Sequence, residues 1–111
     1  MRFLGYTLGD ESVPMPAPTP DLMERMGAFM EEATKAGVLV ATGGIAPSAM
    51  GAKVTLEDGE FTVVDGPFAE AKELIGGWAL TECRDLAEAV EWTKRFLAVL
   101  GAGECRVRPV F

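Results

Sequence analysis

The chain has no histidine and only two cysteines among its 111 residues, and each shortage removes a class of chemistry. Cys83 and Cys105 lack C-x-x-C spacing, so neither a zinc site nor a disulfide framework is written here. Two reduced, partly buried thiols are expected. Positive charge is also scarce: ten Lys and Arg against seventeen Asp and Glu leave a net charge of −7. Such a surface repels phosphate backbones and anionic lipid, which argues against nucleic-acid and membrane partners. No apolar run approaches the roughly 20 residues that span a bilayer. The opening Met1-Arg2-Phe3-Leu4-Gly5-Tyr6-Thr7-Leu8 is followed by no small-residue cleavage site, so no signal peptide is read and a cytoplasmic location is expected. The acidic residues match no known oxygen-ligand loop, and neither metal nor cofactor is expected.

What is present suits a folded protein: 49% hydrophobic and 24% charged residues, in a chain long enough for one core and too short for two. A single domain over residues 1–111 is expected. Residues 1–8 read as a strand closed by Gly9-Asp10. Alternate prolines from Pro14 to Pro20 make the next stretch an extended connector. Thr19 is placed to cap a helix with Pro20 at its first position, and Leu22, Met26, Phe29, Met30 and Ala33 form its apolar stripe, ending at Gly37. Val38–Thr42 reads as a second strand leading to Gly43-Gly44, and residues 48–51 as a loop. Lys53–Glu57 and Glu60–Val64 flank Asp58-Gly59, the strongest short-range signal for a two-residue hairpin. Trp78–Cys83 is the next strand, entered through Gly76-Gly77. Asp85-Leu86-Ala87-Glu88 resembles a capping box, and Leu86, Val90, Thr93, Leu97 and Leu100 set the inward stripe of a second helix ending near Gly101. Glu91 and Arg95 are spaced to pair across one turn of it. Cys105–Phe111 is the last strand, with Pro109 at a sheet edge.

Set aside the hairpin, and the order is strand, helix, strand, strand, helix, strand. This is the split βαβ arrangement of a ferredoxin-like α+β domain, βαββαβ, with an antiparallel sheet and an inserted β-hairpin. Both helices are expected on one sheet face. The other face is not polar, because Leu4, Tyr6 and Leu8 alternate out of phase with Phe3 in the first strand. A bare apolar face of that size calls for a second copy, so a homodimer through sheet faces is expected. With the first strand between them, the two cysteines sit about 9–10 Å apart, beyond the roughly 7 Å a disulfide allows.

The segment Asp65-Gly66-Pro67-Phe68, continued by Ala69-Glu70-Ala71-Lys72-Glu73 and Gly76-Gly77-Trp78, resembles the signature of the YCII-related, or DGPF-domain, family. The opening strand, Ala36-Gly37-Val38-Leu39, the Asp-Gly hairpin and the closing Arg106-Val107-Arg108-Pro109-Val110-Phe111 are similar to that family as well. The resemblance implies a dimeric α/β barrel, without an established activity for this branch. Some relatives in the wider superfamily look like enzymes that act on small ring compounds with a His/Asp pair. With no histidine here, that chemistry does not carry over.

The residues themselves leave several readings open. Asp65 fits an Asx-type turn accepting from the N–H groups that follow it, and Gly66 a backbone conformation closed to other residues. Alternatively Asp65, Glu70, Lys72 and Glu73 line a cleft between sheet and hairpin, with Asp65 or Glu70 as a base and Lys72 holding an anion. Tyr6 with Arg106 and Arg108, on neighbouring strands, is a further candidate for gripping a carboxylate ligand. Three functional classes follow. The chain is a binding module for a small anionic or aromatic metabolite, a cofactor-free isomerase or lyase, or an interaction module linked to transcription regulation that docks through an exposed Trp92.

Overall fold

A computed structural model describes residues 1–9, 17–66 and 74–111. The elements are β1 (Arg2–Gly9), α1 (Pro20–Lys35), β2 (Leu39–Gly44), a 3₁₀ turn (Ser48–Met50), β3 (Ala52–Glu57), β4 (Glu60–Asp65), β5 (Leu74–Glu82), α2 (Leu86–Leu100) and β6 (Glu104–Pro109). Four strands form one sheet in the order β2-β5-β1-β6, every neighbour antiparallel, and β3 and β4 form a separate two-stranded sheet. The expected ferredoxin-like order with an inserted hairpin is therefore present. Pro14 to Pro16 of the proline-rich connector lie outside the described residues.

Local chemistry sets the element ends. Thr19 Oγ1 accepts from the Leu22 N–H at 3.1 Å, and Pro20 stands at the first helical position, where no N–H is needed. Gly37, at φ +74°, ends α1 and lets the Val38 N–H reach back to the Ala33 carbonyl at 3.0 Å. Asp58 and Gly59 take φ of +51° and +79°, the conformation a tight hairpin turn requires. At α2, Asp85 Oδ1 accepts from the Glu88 N–H at 2.9 Å. Glu88 reaches back to the Arg84 N–H at 3.2 Å, one residue before the cap, and pairs with the Arg84 guanidinium at 3.0 Å.

The stripe expected on α1 is the buried one, from half-buried Leu22 to buried Ala33. On α2 the expectation needs correction. Leu86, Val90 and Leu100 are exposed, while Ala89, Trp92 and Phe96 turn inward. Apolar residues cover about half the circumference of α2, and the row carrying the aromatic rings buries more area, so the helix is rolled roughly a quarter turn from the expected orientation. Trp92 stacks on Phe29 of α1, ring centroids 6.0 Å apart, with the Arg95 guanidinium 4.5 Å from its ring. Trp92 is thus a helix-to-helix contact and not an exposed docking residue. Arg95 pairs with Glu32 of α1 instead of Glu91, which takes Lys94 at 3.1 Å.

The core under the helices is thin. Phe3, Val38, Cys83 and Ala89 form it, with Trp92 and Val107 packed against it. Among the described residues, no helix is long and apolar enough to cross a membrane.

Candidate functional site

Residues paired directly across antiparallel strands point to the same face, so the register reads out the side of the sheet away from the helices. One rung there runs Gly43, Trp78, Tyr6, Arg106; the next runs Ala41, Leu80, Leu4, Arg108. Beyond Tyr6 come Leu8 and its partners Ile75 and Glu104. The result is an aromatic and aliphatic floor with two guanidinium groups along its β6 edge. Leu4, Tyr6, Leu8, Trp78 and Leu80 are half-buried within one copy of the chain.

Two glycine features shape this floor. A Cβ on Gly43 would come within 3.0 Å of Trp78 Nε1, so the indole lies across β2 where glycine leaves room. Gly76-Gly77, expected as the entrance to β5, lies inside it. Both residues oppose the single Thr7, forming a β-bulge in which the Gly77 N–H donates to Thr7 Oγ1 at 2.8 Å. The extra residue keeps Ile75 and Trp78, three positions apart, on the same side of the sheet.

Tyr6 sits directly opposite Arg106, with Arg108 one rung away beside Leu4. Arg106 Nε pairs with Glu104 at 2.9 Å. Among the described residues Arg108, exposed on the edge strand, has no ion-pair partner. The Tyr6 and Arg108 candidates therefore do share one face of adjacent strands. The closest guanidinium position to the phenol is Arg106, which only the register reveals.

Asp65 lies elsewhere. It is the last residue of β4, opposite Ala52, and is exposed. Glu70, Lys72 and Glu73 lie outside the described residues. The Asx turn expected at Asp65 lacks its donor, because the residue two positions on is Pro67, which has no N–H, and the Gly66 N–H is taken by the Gly51 carbonyl. The neighbouring Gly66 has a clear structural role, though not the expected one. Its φ is not in the left-handed region; what matters is proximity. A Cβ there would fall 1.6 Å from the Ser48 carbonyl oxygen. The residues expected as a loop form a 3₁₀ turn, with the Gly51 N–H donating to the Ser48 carbonyl at 2.9 Å. The Gly66 N–H donates to the Gly51 carbonyl at 2.9 Å, closing the hairpin base against that turn. Nothing in the local sequence pairs Ser48 with Gly66, because the contact spans the whole hairpin.

The thiols stand apart from both places. Cys83 is buried in the core and Cys105 half-buried opposite Thr7; both are free, with β1 between their strands. Burial raises both pKa values, most directly by stripping water from the thiolate, so both stay protonated at neutral pH and are poor nucleophiles. Two open apolar grooves also lie on the helix side. One, of ≈350 Å³, runs between α2 and β6 past Val90, Leu97 and Val107; the other, of ≈380 Å³, lies along α1 past Leu22, Met26 and Leu100. Neither includes Asp65, Tyr6 or Arg108.

Comparison with known proteins follows the same outline. An uncharacterized protein of Rhizobium meliloti (strain 1021) is 32% identical over 90 residues, covering 80% of this chain and 73% of that protein. Among solved structures, 5-chloro-2-hydroxyhydroquinone dehydrochlorinase from Burkholderia phenoliruptrix AC1100, in complex with 2,5-dihydroxybenzoquinone, aligns with all of this chain and 94% of its own. It does so at 18% identity and a TM-score of 0.47, a likeness too weak to carry an argument. The family model of the YCII-related domain matches residues 1–111, and the chain belongs to that family.

Proposed function

We propose that the protein is a homodimer that binds a small aromatic or anionic metabolite over the open face of its four-stranded sheet. The observation that carries this reading is the pair of rungs Trp78–Tyr6–Arg106 and Leu80–Leu4–Arg108 on one face. Ring faces and aliphatic groups suit an aromatic body, and a guanidinium is the side chain best matched to a carboxylate or phenolate at its rim. A second copy stacked on that face closes the chamber and removes the exposed apolar surface. In this reading Arg108 grips the anionic group and Tyr6 offers a hydroxyl. Asp65, Glu70 and Lys72 of the signature are further candidates for polar contact with the ligand.

The test is thermal unfolding of the wild type, Arg108→Gln and Asp65→Asn against small aromatic acids, phenols and lactones. Arg108 is an exposed edge-strand residue, so its substitution should shift the ligand-free stability by no more than about 0.5 kcal/mol. A ligand present at 100 times its dissociation constant should stabilise the wild type by about 2.7 kcal/mol, with most of that response absent in Arg108→Gln. If Asp65→Asn also loses the response while remaining folded, the signature carboxylate belongs to the site. A library that shifts nothing, or shifts both arginine and glutamine proteins equally, defeats the reading. Recovery of the compound unchanged distinguishes binding from turnover.

A further inference from the structure

The hairpin has a sidedness that the described residues do not use. Its register places Ala52 and Asp65, Val54 and Val63, and Leu56 and Phe61 on one face. Lys53 and Val64, Thr55 and Thr62, and Glu57 and Glu60 occupy the other. The first face is apolar, yet Val54, Leu56, Phe61 and Val63 are 64%, 58%, 74% and 63% exposed. Among the described residues no third strand pairs with β3 or β4, and an isolated two-stranded hairpin is marginal in water. The described residues leave that face uncovered.

The exposed area is of the size that a second copy would cover. The chain exposes 8086 Å², whereas a compact monomer of its 11.8 kDa exposes about 5,900 Å². Its radius of gyration is 16.3 Å against about 13 Å for a compact chain of this length. A face of four strands projects to only about 400 Å², and a standard interface removes about 800 Å² per partner. Stacking of the open sheet faces alone therefore leaves over half of the roughly 2,200 Å² surplus uncovered. The surplus is instead of the size an obligate dimer removes from each subunit.

The apolar surface is also continuous along the chain. Ile75 is 40% exposed on the open sheet face beside Leu8, and the Ile45 N–H donates to the Gly76 carbonyl at 2.8 Å as the chain leaves the sheet. Ile45 and Met50, 50% and 79% exposed, then precede β3. Asp65 is the one charged group on the apolar hairpin face, and on the open sheet's edge Arg108 has the opposite sign, Arg106 being paired with Glu104.

We propose that the hairpin is a dimer arm: its Val54–Leu56–Phe61–Val63 face packs on the second copy, extending the sheet-to-sheet contact past the end of the sheet. The inference rests on the homodimer proposed above and adds a second, separable part to its interface. The experiment compares the wild type with Phe61→Asp and, as a control on the polar face, Thr62→Asp, by sedimentation equilibrium over a concentration series. Phe61→Asp should weaken the dimer roughly 100-fold or more, as removal of a central apolar anchor does, while Thr62→Asp leaves it intact. A Phe61→Asp dimer as tight as the wild type overturns the arm and leaves the sheet-face dimer standing; a wild type that is monomeric defeats both. Should Phe61→Asp fail to fold, mixed labelled and unlabelled wild type decides. Intermolecular proton contacts from the Phe61 ring are expected, and their absence overturns the proposal.

Discussion

Phe3 and Phe61 are both strand phenylalanines in an alternating pattern, yet one is 1% exposed and the other 74%. Phe3 lies in a sheet whose face is covered by α1 and α2, and it packs with Val38, Cys83 and Ala89. Phe61 lies in a hairpin that has no second layer among the described residues. Alternation sets which side of a strand is apolar. Whether that side is covered depends on what else the fold delivers to it, and for the hairpin the described residues of one copy deliver nothing.

The contrast is open to direct attack. Phe3→Ala removes the most deeply buried large side chain of a thin core and should cost about 3–5 kcal/mol, read from the urea midpoint. A loss below 1 kcal/mol would mean that the helix-covered sheet is not the main seat of stability. Gly66→Ala acts on the other region. The added methyl collides with the Ser48 backbone carbonyl, which has no side-chain freedom to yield, so a loss of about 1–3 kcal/mol is expected. Amide exchange should quicken from Ser48 to Asp65 and stay slow in β1 and β5. Uniform quickening would show that the hairpin and sheet open as one unit.

The smallest expected effect concerns acid. The N-terminal ammonium, 2.9 Å from Glu82, holds that carboxyl below its usual range. The folded state then binds fewer protons than the unfolded one in acid, so stability rises with pH. This contribution is complete above the ordinary glutamate value of about 4.3 and is lost as pH falls through the lower folded value. Glu82→Gln should flatten the pH dependence of the melting temperature between pH 5 and 3 by a small margin. An unchanged slope would show that the pair, both partners solvent-exposed, contributes nothing measurable to the sheet.

How much was legible in the sequence differs by feature. The Asp58-Gly59 turn, the Thr19-Pro20 helix start and the Gly37 stop are governed by neighbours in sequence, and each stands where the residues placed it. The sheet order follows from the succession of elements, since a βαββαβ chain with short connections has few ways to pair its strands. The roll of α2 was not legible. Its Leu86–Leu97 and Ala89–Phe96 rows are both apolar, and the choice depended on Phe29 being available across the helix interface. The bulge at Gly76-Gly77 depends on Thr7, and the need for glycine at 66 depends on Ser48; both partners are distant in sequence.

The candidate site divides in the same way. Tyr6, Arg106 and Arg108 could be nominated from strand adjacency, but which guanidinium faces the phenol, and that Trp78 joins them over Gly43, are matters of register. Local residue chemistry thus determined the order of helices and strands, the helix caps, the hairpin turn and the family signature by itself, because turns, caps and periodicity act over a few residues; the start of β5 and the 3₁₀ turn at Ser48 lay beyond it. The tertiary structure alone decided which apolar rows are covered, why Gly66 must be glycine, and that the hairpin has no second layer among the described residues. Those outcomes depend on packing between segments far apart in the chain, where excluded volume and competition for buried area select among patterns that are locally equivalent.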